Sequence, residues 1–93
     1  SKEVIEYNLS EIVFQAKDQI ELDEKINKII ASIKNEGFKT TANKFSISDT
    51  SKLGGLIGKI RENQLSTKFQ VELKKINKGE FSKPINIFAC PLC

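Results

Sequence analysis

Residues 45–85, FSISDTSKLGGLIGKIRENQLSTKFQVELKKINKGEFSKPI, decide the fold of this 93-residue chain. A turn rich in Ser, Asp and Thr runs into Gly54-Gly55, and the short apolar run Leu56-Ile57-Gly58-Lys59-Ile60 follows. Paired glycines ahead of a strand predict backbone that takes positive φ or passes close to another group. Gly58 inside the run predicts a close approach of its own. Ser66 stands where it can cap a helix over Thr67–Asn77 that turns Phe69, Leu73 and Ile76 inward. Gly79 stops that helix, and Pro84–Ala89 reads as a last extended strand.

Upstream, Phe38, Ala42 and Phe45 recur at i, i+4 and i+7 and predict a short helix over Lys39–Phe45, with Ser46–Lys52 a loop of turn formers. Leu22, Ile26, Ile29, Ile30 and Ile33 form a helical stripe of four turns. Asp23 and Glu24 fall in its first turn and Lys34 in its last, as the helix dipole prefers, and Gly37 ends it. Residues 4–16 read as the first strand, covered on both faces near its end. Leu9, Glu11 and Val13 share one face of it; Ser10, Ile12 and Phe14 share the other. Strand, helix, short helix, loop, strand, helix, strand is an α+β pattern with a small antiparallel sheet covered by helices.

Composition narrows the function. A hydrophobic share of 39% with 29% charged residues fits a soluble globular chain, and 93 residues make one domain with a modest core. No apolar run approaches the roughly 18 residues of a spanning helix, so membrane insertion is not expected. The chain opens at Ser1 without a signal-peptide pattern, which reads as a processed or excised piece. Fifteen Lys+Arg against 12 Asp+Glu leave a net charge of +3, with the acids interspersed among the bases. A nucleic-acid binder shows a basic stripe interleaved with aromatics, and no such stripe is present. Cys90 and Cys93 close the chain as Cys90-Pro91-Leu92-Cys93. Two thiols fall short of the four ligands of structural zinc, and nothing follows them to form the helix a redox motif opens. There is no His, which removes the usual general base, metal ligand and pH switch together.

The order of these pieces resembles the parvulin family of peptidyl-prolyl isomerases. Phe45-Ser46, Gly54-Gly55 with Gly58, Leu65 and Phe69 around a helix start, and Lys78-Gly79-Glu80 with Ser82 and Pro84-Ile85 carry the resemblance. It covers about residues 9–87 and leaves 88–93 as a divergent tail of a single domain spanning 1–93. The closest flavour is that of the isomerase modules of SurA-like bacterial envelope chaperones, which implies a periplasmic or envelope location. The resemblance implies a parvulin/FKBP-like fold, no cofactor, and unfolded or proline-containing polypeptides as partners. It also implies a further, central strand where Phe88-Ala89-Cys90-Pro91-Leu92-Cys93 stands, so the usual final strand is missing or altered. An unfilled slot leaves unpaired backbone beside apolar surface, which favours a dimer or strand exchange.

By the same resemblance, Ile57, Leu65 and Phe69 would form the apolar cup for a proline ring; by spacing alone they are ordinary core residues, and one face can both pack and line a pocket. Ser48 falls where the family has Cys or Asp, with Asp49 the alternative because the loop looks one residue short. Each is equally a turn former. Glu11 stands where a family histidine often precedes the aliphatic run, and a strand residue reaching solvent is its ordinary alternative.

The chemistry needs no covalent step. The X-Pro amide resists rotation by about 18–20 kcal/mol through C–N double-bond character. Gripping the ring, excluding water and offering polar groups to the twisted form lowers that barrier. The expected function is a weak peptidyl-prolyl isomerase; the alternative is a non-catalytic peptide-binding module on the same groove, since both family histidines are absent.

Overall fold

The computed structural model describes residues 3–87. Their order is β1 (Glu6–Ser10), α1 (Gln19–Glu36), α2 (Phe38–Phe45), a 3-10 turn (Asp49–Leu53), β2 (Leu56–Arg61), a second 3-10 turn (Glu62–Gln64) and α3 (Thr67–Lys74). β1 and β2 pair in a small antiparallel sheet, and the fold is α+β. Contacts group the residues into two units, one of Tyr7–Ile60 and one of residues 3–6 with 61–87.

In the first unit α1 begins a turn earlier than its apolar stripe predicts. Asp18 is the N-cap, its Oδ1 accepting the Glu21 N–H at 2.8 Å. The first-turn acid is therefore Glu21 rather than Asp23 or Glu24, and it pairs with Lys25 at 3.1 Å. The signal was hidden because Ile20, in the added turn, is exposed. α1 ends at Gly37, whose N–H reaches the Ile33 carbonyl at 2.9 Å. Of the predicted stripe, Ile29 is buried and its companions half-buried. α2 packs against α1 and against the first 3-10 turn.

Ala42 is fully buried, as its periodicity predicts, and so is its neighbour Thr41. A buried hydroxyl needs partners. Thr41 Oγ1 donates to the Gly37 carbonyl at 2.8 Å and meets Ser32 Oγ at 2.7 Å, tying α2 to the last turn of α1.

The first strand is shorter than residues 4–16. Beyond Ser10 the chain stays half-buried through Phe14, but its bonds leave the ladder. Glu11 N–H donates to the Gly55 carbonyl at 2.8 Å, and the Val13 carbonyl accepts the Ile47 N–H at 2.8 Å. The Val13 N–H goes to Ser46 Oγ at 3.0 Å. The neighbouring chain there is turn, not strand, so no ladder can continue. Gly58 also departs from expectation: a Cβ there would meet nothing within 4 Å, and glycine is required by its φ of 108° instead of by a close approach.

In the second unit α3 stops at Lys74 instead of Asn77, closing on tighter bonds from Lys75 and Ile76 N–H to the Glu72 and Leu73 carbonyls. Ser66 occupies the N-cap with extended backbone, but its side chain makes no capping bond. Phe69, Leu73 and Ile76 are half-buried. The expected strand at Pro84–Ala89 is not formed over Pro84–Ile87. Phe88, Ala89, Cys90 and Cys93 lie outside the described residues. Among the described residues no helix is long and apolar enough to cross a membrane.

Candidate active site

Gly55 is the residue around which the site is built. Its φ is 84°, and a Cβ on it would stand 2.3 Å from the Glu11 carbonyl oxygen and 3.1 Å from the Ala42 Cβ. Only glycine lets the start of β2 come this close, and the close approach makes the Glu11–Gly55 backbone bond possible. That bond, with the Ser46 bond to Val13, fixes the backbone on both sides of Ile12 and so aims the Glu11 side chain.

The loop after α2 then delivers two hydroxyls to that carboxylate. Ser48 is the N-cap of the 3-10 turn, its Oγ accepting the Thr50 N–H at 3.4 Å. Ser48 Oγ donates to Glu11 Oε2 at 2.9 Å, and Thr50 Oγ1 donates to the same oxygen at 2.7 Å. The two hydroxyls are 3.2 Å apart. Glu11, Ser48 and Thr50 are all half-buried. Hydrogen bonds to an ionised acceptor are the strong kind, so this cluster orients the carboxylate firmly.

The structure therefore brings Glu11 and Ser48 together and adds Thr50. Asp49 lies between the two hydroxyl residues in sequence but is exposed, and it makes no bond to the cluster among the described residues. Ile57, on β2 in the first unit, is 40% exposed. Leu65 and Phe69 belong to the second unit, half-buried at the end of the 3-10 turn and in the first turn of α3. Gln70 holds that corner: its Nε2 donates to the Glu62 and Leu65 carbonyls, both at 2.9 Å. Neither Thr50 nor Gln70 stands out in sequence. Thr50 is one of several turn formers in a row, and Gln70 is an ordinary polar helix residue.

An open concavity of about 290 Å³ in the first unit is lined by Ser10, Phe38, Lys39, Leu53, Gly54 and Leu56. None of the predicted site residues lines it. Ser10 adjoins Glu11, but successive side chains of an extended chain point to opposite faces. The concavity offers a lysine and a serine beside apolar walls, and the hydroxyl-held carboxylate lies outside its lining.

A β strand, a helix pair and a glycine-pinned loop presenting polar groups form a small α+β framework. The sequence model of the rotamase family, the PPIC-type PPIase domain, matches residues 5–88, and the chain belongs to that family. No curated protein and no solved structure matches the chain.

Proposed function

We propose that this domain accelerates cis–trans isomerisation of X-Pro bonds in unfolded or extended polypeptides without a covalent intermediate. The match to the PPIC-type PPIase family over residues 5–88 carries the reading, and the Glu11–Ser48–Thr50 cluster gives it a polar centre. As the amide twists, its nitrogen gains lone-pair character and its carbonyl loses conjugation. A fixed hydroxyl–carboxylate group that needs no reorganisation favours the twisted form over the planar one. In this reading Ser48 and Glu11 are the groups beside the amide, Asp49 remains the alternative of the family alignment, and the family pattern assigns Ile57, Leu65 and Phe69 to the proline ring. An envelope location, a SurA-like chaperone context and dimerisation or strand exchange rest on the resemblance and belong to the same proposal.

The test is exchange spectroscopy on a model X-Pro peptide with the domain added in catalytic amount. Enhanced cis–trans cross-peaks are expected, and they should fall about tenfold in Ser48→Ala, a loss of about 1.4 kcal/mol of transition-state stabilisation. Leu65→Ala and Phe69→Ala should each lose peptide binding while remaining folded.

A second reading, a peptide-binding module without catalysis, is favoured by one observation. The chain has no histidine, and Glu11 stands where the family often has one. Peptide-induced shifts with no exchange enhancement would select it.

A further inference from the structure

Among the described residues, Glu11 is a half-buried carboxylate without a cation. The ion pairs of the described residues engage Glu21, Glu36 and Glu72, and Glu11 enters none, although Lys+Arg number 15 against 12 acids. Its Oε2 takes both hydroxyl donors. Its Oε1 accepts no bond among the described residues. No described buried side-chain oxygen lacks a partner, so Oε1 is not sealed inside.

The molecule thus holds one carboxylate oxygen with two hydroxyls and leaves the other without a bond among the described residues. An ionised carboxylate can only accept hydrogen bonds. The carbonyl oxygens of a bound peptide gain nothing from it, whereas an ammonium or guanidinium gains a charge-assisted bond. We propose that Glu11 is a specificity-determining residue that favours X-Pro segments carrying Lys or Arg beside the proline. Thr50 is the positioning residue that, with Ser48, occupies Oε2 and leaves Oε1 to the peptide. The inference rests on the isomerase-family reading of the site. Its sign is informative, because the chain's net charge of +3 attracts acidic peptides at long range. A preference for basic peptides must come from the local contact.

The test uses the full chain and three acetylated, amidated peptides, with Lys, Ala or Glu on both sides of one proline. Affinities are read by NMR titration. The Lys-flanked peptide should bind about fivefold more tightly than the Glu-flanked one, the scale of a partly exposed ion pair. In Glu11→Gln that ratio should fall to about one or invert. Thr50→Val should shrink the ratio and Thr50→Ser restore it, a pattern that loss of packing alone does not produce. Should Thr50→Val fail to fold, the Glu11→Gln and Thr50→Ser ratios carry the test. Equal or tighter binding of the Glu-flanked peptide by the wild type overturns the proposal, as does an unchanged ratio in Glu11→Gln. Exchange enhancement without charge preference sinks this inference and leaves the isomerase. Charge-selective binding without exchange enhancement sinks the isomerase and leaves this inference.

Discussion

In the unit of residues 7–60, Ile29, Thr41, Ala42, Gly54 and Gly55 are buried; in residues 61–87 no residue is more than half-buried. The two units are held by different means. The first has a small apolar centre and a buried hydroxyl bridge between α1 and α2. The second relies on polar latches: Gln70 on the Glu62 and Leu65 carbonyls, Lys68 Nζ on the Asn86 carbonyl at 2.7 Å, and Glu72 between Lys75 and Lys83 at 3.3 and 3.7 Å. Apolar burial contributes about 1.5–3 kcal/mol for a large side chain, whereas a hydrogen bond nets about 1 kcal/mol. The Glu11 cluster is mounted on the first kind of structure, while Leu65 and Phe69 are mounted on the second. Regions with few buried apolar contacts open at lower free-energy cost, so the second unit should open before the first.

The sharpest way to break this contrast is at Gly55. Gly55→Ala forces a side chain into positive φ and into the Glu11 carbonyl. The backbone strain costs about 1–2 kcal/mol and the overpacking about 1–3 kcal/mol more. We expect a fall in denaturation midpoint equivalent to about 3 kcal/mol, together with loss of the Glu11 cluster. A variant as stable as the wild type would mean that β2 does not need its close approach. Ile29→Ala should cost slightly less, about 2 kcal/mol, at the low end of the range for deleting a buried Ile because the surrounding stripe is half-exposed. Urea unfolding monitored by circular dichroism measures both.

The stripe of α1 was legible because five apolar residues at helical spacing admit one periodicity, and Ala42 followed from the same rule. The α+β class followed from the order of elements. Features whose reason is tertiary were not legible. Thr41 reads as a surface residue until Ser32 and the Gly37 carbonyl supply its partners. Thr50 sits among Ser48, Asp49 and Ser51, all able to bond their own backbone, and only folding selects the hydroxyl that reaches a carboxylate 39 residues away. The bond of Ser48 to Glu11 depends on the close approach at Gly55, itself flagged by its pairing with Gly54. The strand at Pro84–Ala89 misled because β-branched and aromatic residues mark extended chain, whereas a strand also requires a partner. Over Pro84–Ile87 none is formed.

The polar latch can be released on its own. Gln70→Ala removes two side-chain bonds to carbonyls and should cost about 1 kcal/mol. Its signature is local: amide exchange should accelerate over residues 62–70 and stay unchanged around Ile29 and Ala42. Uniform acceleration would show that the two regions open as one cooperative body, and the contrast between them would fail.

The smallest expected effect lies on the surface of the better-packed unit. Lys44 Nζ meets both Glu36 oxygens, at 2.8 and 2.7 Å. The hydrogen bond from Lys44 and the charge of its ammonium, helped by the Ser32 hydroxyl, hold the Glu36 carboxyl below its ordinary value. A carboxyl whose folded value is depressed adds stability that is present above its unfolded value and is lost as pH falls through the folded one. Lys44→Ala should therefore lower the melting temperature slightly at neutral pH, and the difference from wild type should shrink away as pH falls through the depressed folded value and the carboxyl takes up its proton. Raising the salt to about 1 M should shrink the neutral-pH difference as well, since both side chains are largely exposed and screened. A difference that persists in acid would assign the effect of Lys44 to the packing of its stem against α2 and not to its charge.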